Sequence, residues 1–142
     1  MKKSLSFIFI ICFTATLQAI DLGIGYTADT GVHIRVSRFE IQSLFDKDFT
    51  TFGIRFYPFI KQLKIIKQDF GLYLGLESNY INSNLLEWGY AAGIFSGLDK
   101  KLFKGLHLGI DMGIFMCSLK GNEVFTDWGL VLNTKLTWIF KL

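Results

Sequence analysis

The sequence predicts an all-β fold, namely a closed antiparallel transmembrane β-barrel of about eight strands that follows an N-terminal signal peptide. Three observations predict it. Apolar residues alternate with small or polar residues in short segments along most of the chain, the last segment alternates up to the final residue, and the N-terminus has the pattern of an export signal. We therefore divide the chain into a signal peptide, residues 1–19, and one barrel domain, residues 20–142.

The predicted signal peptide begins with Lys2 and Lys3, continues with the apolar run Leu5–Phe13, and becomes smaller and more polar up to Ala19. This run is shorter than the roughly 20 residues of a membrane-spanning helix, so we expect cleavage after Ala19. Loss of two lysines lowers the net charge from +3 to +1, which leaves no basic excess for nucleic acid. Cys117 is then the one remaining cysteine, and no internal disulfide is expected.

Seven segments of the barrel domain alternate clearly and are predicted as strands. They are Ile20–Tyr26, Val32–Ser37, Thr51–Tyr57, Phe70–Glu77, Trp88–Phe95, Leu106–Phe115 and Val124–Leu142. Single-chain antiparallel barrels usually close with an even number of strands, so an eighth strand is expected. It could be a second strand within Val124–Leu142, or it could lie in the weakly alternating Phe39–Phe49.

The longest predicted connection is Pro58–Asp69, with the sequence PFIKQLKIIKQD. Its apolar residues recur every three positions opposite lysines, which would allow a short amphipathic helix at the membrane surface. We favour an ordinary solvated loop. If both chain ends lie on one side of the membrane, this loop follows the third strand and lies on the opposite side.

The composition of the two strand faces predicts which face is outside. A surface in water would be rich in Lys, Glu, Thr and Ser, whereas the polar face here is mostly glycine with a few charges. We therefore expect the apolar face to contact lipid and the glycine-and-charge face to line the lumen. Tyr57, Tyr73 and Phe95 should fill that lumen. The predicted lumen charge network consists of Asp21, His33, Arg35, Arg55, Glu77, His107, Asp111 and Lys135.

Three glycine- and aromatic-rich segments, Phe52–Phe59, Phe70–Tyr80 and Trp88–Phe115, resemble the repeating hairpins of small bacterial outer-membrane β-barrels of the OmpA-transmembrane-domain and OmpX type. The C-terminal strand resembles the assembly signal of that family, although its last residue is leucine where the family usually has Phe or Trp. The matching residues are Leu136, Trp138, Phe140 and Leu142.

The resemblance implies a location in the outer membrane of a Gram-negative bacterium, reached by export. It implies outer-membrane lipids, lipopolysaccharide and the barrel-assembly machinery as partners, and a monomeric chain with a structural or surface-interaction role rather than a wide pore. Nucleic acid is not an expected partner. No enzymatic activity, cofactor or metal site is predicted.

Two alternatives remain open at this point. A lipid A-modifying outer-membrane enzyme would need a nucleophilic serine beside a histidine. The sequence has no His-x-Ser pair, Ser37 is the inward candidate, and His107 and Asp111 lie about 13 Å apart along one strand. A soluble periplasmic β-barrel that binds an apolar ligand would instead turn its apolar face inward.

Overall fold

The computed structural model describes residues 21–28, 31–65 and 68–141. It is a closed barrel in which eight antiparallel strands pair in chain order and β1 pairs with β8. The strands are β1 (Asp21–Thr27), β2 (Gly31–Val36), β3 (Phe39–Phe45), β4 (Phe49–Ile65), β5 (Gln68–Ser83), β6 (Trp88–Phe103), β7 (Leu106–Lys120) and β8 (Val124–Lys141). The predicted all-β closed antiparallel barrel is confirmed. The described ranges contain no helix that is long and apolar enough to cross a membrane.

The eighth strand is β3, within the weakly alternating Phe39–Phe49, and it pairs with both β2 and β4. Its alternation is weak because Ser43 is on the outward face while Leu44 is on the inward face with Glu40 and Gln42, so one step of the pattern is reversed. The other possibility, two strands within the last segment, is wrong because β8 is continuous.

The interpretation of Pro58–Asp69 as a loop or a helix is wrong. Residues up to Ile65 extend β4 and residues from Gln68 begin β5, and the two strands pair through this region. A register shift between Phe56 and Phe59 accommodates Pro58, which has no N–H for a regular ladder. The shift also breaks the period of two that would have marked the strand. Because β3 is a strand, this hairpin follows the fourth strand and lies at the same end as the chain ends.

The strands are strongly tilted because the register is staggered. A path that starts at Phe52 on β4 and steps from each residue to its partner on the next strand passes once around the barrel and returns to β4 at Leu63. Leu63 is 63 − 52 = 11 residues farther along the strand. For eight strands about 4.8 Å apart with about 3.3 Å per residue, this stagger corresponds to a tilt of about 43°. We call the end with Asp21 and Lys141 the terminal end and the opposite end, which has the turns after β1, β3, β5 and β7, the far end.

Side chains alternate between the outside and the lumen along each strand. On β7, for example, Ile110 and Met112 point outward and are 51% and 58% exposed, whereas Asp111 between them is 1% exposed. Outward positions carry most of the large aliphatic and aromatic side chains, and inward positions carry mainly glycine and polar groups together with a few aromatic and aliphatic side chains. This is the arrangement of faces that the composition predicts.

Glycine at position 75 is required by close packing in the lumen. A Cβ added there would overlap the ring of Phe95, which packs edge-on against Tyr57 and Tyr73. We expect Gly75→Ala to lower the free energy of unfolding by about 1–3 kcal/mol, because a packed ring must shift. Urea unfolding followed by tryptophan fluorescence measures this.

The matched control is Gly109→Ala, also on the inward face. Its added Cβ would meet the Tyr73 hydroxyl at 3.5 Å, an ordinary contact. Its unfolding free energy should change by less than about 0.5 kcal/mol. Equal stability of the two variants would contradict the packing described around Phe95.

Candidate functional site: the packed lumen

Arg55 on β4 is at the centre of the lumen and is 1% exposed. Its guanidinium lies 2.7 Å from a carboxylate oxygen of Glu77, 3.0 Å from Asp111 and 3.9 Å from Glu40. All three carboxylates are also buried. Because an unpaired charge in such a place would be costly, the guanidinium and the carboxylates depend on one another.

Lys135 on β8 is the second cation of this centre. Its Nζ lies 3.1 Å from Glu40 Oε1 and 3.4 Å from Asp111 Oδ2, and it donates to the Tyr57 hydroxyl at 2.8 Å. The Tyr57 hydroxyl in turn donates to Glu40 Oε2 at 2.7 Å. Two cations are therefore shared among three carboxylates, and the network joins β3, β4, β5, β7 and β8.

Amide side chains complete the hydrogen bonding of the carboxylates. Gln42 and Asn79 each donate to Glu77 Oε1, at 2.6 and 2.7 Å, and Asn133 donates to Asp111 Oδ1 at 3.2 Å. These amides lie on the far-end side of Arg55. They make the centre a connected polar network rather than a set of isolated ion pairs.

An aromatic cluster fills the remaining cross-section beside the charges. Tyr57, Tyr73, Phe95 and Phe115 are the buried aromatic side chains. The Arg55 guanidinium lies 4.6 Å from the Phe95 ring centroid, so the rings and the charges are in direct contact. The lumen is consequently packed at its middle.

The structure brings together four of the eight residues of the predicted network: Arg55, Glu77, Asp111 and Lys135. Sequence reasoning missed Glu40, which holds both cations. Recognition of β3 as a strand would have placed it on the inward face.

Among the described residues, the other four predicted members make no ion pair with this centre, although the Arg35 guanidinium lies 4.5 Å from the centroid of the Tyr57 ring. His33 is buried and its Nε2 lies 2.9 Å from the Thr137 hydroxyl. Arg35 donates from Nε to the Ser37 carbonyl at 3.0 Å. His107 and Asp21 belong to a cavity at the terminal end.

This terminal cavity has a volume of about 490 Å³ and is bordered by charged side chains of both signs. His107 Nδ1 lies 2.6 Å from Asp99 Oδ2, a partner that the sequence does not reveal. Ser37 also borders the cavity. Within the described ranges its hydroxyl makes no hydrogen bond to a histidine, so a nucleophile–base pair is not assembled there.

No match to this chain was found by a scan against protein-family models or by searches of the curated proteins and of the solved structures. The resemblance to the OmpA and OmpX type accordingly stays a prediction from sequence pattern.

Three residues of the predicted assembly signal, Leu136, Trp138 and Phe140, point outward on β8 and are 43%, 40% and 46% exposed. Leu142 lies outside the described residues, as does the predicted signal peptide, residues 1–19. Recognition of this strand by an assembly machinery stays a prediction.

Proposed function

We propose that the chain is a small outer-membrane β-barrel with a structural or surface-interaction role and a lumen closed to bulk flow. The observation that carries this proposal is the distribution of polarity. Large apolar side chains cover the outside of the barrel at about half exposure, while Arg55, Glu40 and Asp111 are buried at its centre. A barrel in water would have the reverse arrangement, and exposed apolar patches on soluble monomers rarely exceed a few hundred Å².

Outward aromatic residues support the proposal because they lie near both limits of the aliphatic surface, as membrane girdles do. On β8, Trp128 and Trp138 bracket Leu130, Leu132 and Leu136. The two tryptophans are 138 − 128 = 10 residues apart. At about 3.3 Å per residue and a tilt of about 43°, they are about 24 Å apart along the barrel axis, close to the ~25 Å apolar band of outer-membrane barrels.

The same distribution disfavours the soluble periplasmic barrel, because such a barrel turns its apolar face inward and its polar face to water, whereas this chain has buried ion pairs at its centre and apolar side chains outside. The lipid A-modifying enzyme has weaker support than the structural role, because His107 is paired with Asp99 and no serine joins it among the described residues. Loss of an activity on lipid A in His107→Ala or His33→Ala, with the barrel intact, would revive that alternative.

The proposal is tested by cell fractionation combined with an unboiled gel. We expect the protein in the outer-membrane fraction, with a different migration in boiled and unboiled samples because a closed barrel resists detergent until heated. Recovery from the soluble periplasmic fraction would contradict the proposal.

A closed lumen also predicts no ion flow. Purified protein in planar lipid bilayers should give no stable conductance steps, because Tyr57, Tyr73 and Phe95 occupy the cross-section beside Arg55. Steady, reproducible single-channel currents from the folded protein would contradict this expectation.

A further inference from the structure

The barrel wall at the far end is much lower on one side than on the other. The last ladder pair between β1 and β8 is Thr27 with Lys135, and the Ala28 N–H donates to the Thr134 carbonyl at 2.9 Å. β8 continues for 134 − 124 = 10 more residues, to Val124. At a tilt of about 43°, this extension rises about 24 Å along the barrel axis above β1.

In the part of the chain that the structure describes, no strand pairs with the β1-facing edge of residues 124–133. We call this opening, between the β8 edge and the turn after β1, the lateral window. The described residues on either side of that turn are Ala28 and Gly31.

Part of the lateral window lies at the level of the proposed apolar band. Trp128 marks the far limit of that band on β8, and Leu130 and Leu132 below it are 75% and 67% exposed. The Thr134 N–H and C=O point toward β1, and in a strand every second residue points its backbone groups to the same side. The backbone groups of Leu130 and Leu132 therefore face the window. Exposed backbone at membrane depth is tolerated only where it is paired, buried in protein or borders a cavity. The window therefore opens into a space within the barrel.

The inward residues around that space, which we call the far cup, are mainly apolar and include Ile81, Ala91, Phe115, Cys117, Leu119 and Val131, with Thr51 paired opposite Ile81. A Cβ added at Gly89 would meet Ile81 at 2.8 Å and Leu119 at 3.0 Å, so these two side chains close over the glycine and form one surface. A Cβ added at Gly129 would meet nothing within 4 Å, so the space before β8 is open. Val131 beside it is 38% exposed.

The far cup differs in chemistry from the terminal cavity. Its lining is mainly aliphatic and aromatic, with the Thr51 side chain as a neutral polar member. The inward charge on this part of β8 is Asp127, whose carboxylate accepts from the Trp128 N–H at 2.8 Å. The named residues of the far cup include no lysine or arginine that could pair with an anionic head group. The cup ends below at Asn79 and Asn133, where the packed centre of the lumen begins.

We propose that the far cup binds an aliphatic chain, which enters sideways from the bilayer through the lateral window. This inference rests on the proposed membrane location. The chain could belong to a membrane lipid or to a free fatty acid, because the apolar lining would recognise the same methylene groups in both.

The test is photo-crosslinking of the full mature protein in phosphatidylcholine vesicles, with two probes that carry a diazirine on the acyl chain. One probe is a fatty acid and the other a phosphatidylcholine. Mass spectrometry locates the labelled residues on β7 and β8. Labels on the inward residues Phe115, Leu119 or Val131 support the proposal, and the probe that gives them identifies the source of the chain.

Because inward and outward residues alternate along each strand, the pattern of labelled residues distinguishes a wrong far cup from a wrong membrane location. Labels confined to the outward residues Ile114, Met116, Leu130 and Leu132 would overturn the cup and leave the membrane location intact. Absence of label on both faces of β7 and β8 would overturn the membrane location, and the cup with it.

Gly129→Trp provides the decisive variant, because its side chain would occupy the open space before β8. We expect inward labelling to fall at least tenfold while outward labelling is unchanged. Gly121→Trp, in the turn after β7, is the matched control and should label as the unaltered protein does. Migration of unboiled samples verifies that both variants are folded. Undiminished inward labelling in Gly129→Trp would overturn the proposal.

Discussion

Arg55→Met is expected to lower the free energy of unfolding by about 3–5 kcal/mol, the usual cost of removing one partner from a buried ion-pair network. The variant removes the cation that lies against Glu77 and leaves Asp111 and Glu40 to share Lys135. Methionine fills much of the same volume, so the loss reports mainly the uncompensated charge. Urea unfolding of the protein folded in lipid vesicles measures the effect.

Lys120→Met is the matched control. The Lys120 ammonium lies 2.7 Å from Glu87, but both side chains are well exposed at the far end. Its removal should change stability by less than about 1 kcal/mol. The double variant Arg55→Met with Glu77→Gln should recover part of the loss, because one unpaired charge is neutralised. If Arg55→Met were as stable as the control, Arg55 would not hold the lumen together.

Ile110→Arg is expected to lower the stability of the barrel in vesicles by about 2–4 kcal/mol, since its charge would lie in the hydrocarbon near mid-membrane. Ile110 is near the middle of the outward series on β7 and is 51% exposed. A barrel surrounded by water would tolerate the same change within about 0.5 kcal/mol. The measurements are the unfolding free energy in vesicles and the amount of folded protein in the envelope fraction.

The control for this variant is Leu85→Arg. Leu85 lies in the turn after β5 and is 79% exposed, so an arginine there stays in water at the far end. Its folding should match that of the unaltered protein. If Ile110→Arg also folded normally in vesicles, the outward face of β7 would not be in contact with hydrocarbon.

The barrel and the composition of its two faces could be predicted from the sequence, because alternation with a period of two shows directly which side chains share one face of a strand. Where one step of that period was reversed, at Ser43 and Leu44, the strand was hard to recognise and Glu40 was missed with it. The extended hairpin around Pro58 was hidden for a similar reason, since a register shift breaks alternation in one strand without ending the pairing.

The partners within the lumen could not be predicted because register is set by pairing around the whole barrel. Asp99 lies beside His107 because β6 and β7 pair with Lys101 opposite His107. A shift of β6 by one residue would have turned the Asp99 side chain to the outside of the barrel. The terminal cavity depends on the same registers. Residue types alone predicted a charged lumen, and the three-dimensional register decided which charges share it.

Contact between the outward face and lipid is measured most directly by quenching of the native tryptophans in vesicles made with brominated acyl chains. Trp88, Trp128 and Trp138 point outward and are 38%, 65% and 40% exposed. We expect strong quenching by the brominated lipids and weak quenching by acrylamide in water. Efficient quenching by acrylamide, with no effect of the brominated chains, would show that this surface faces water and would contradict the membrane barrel.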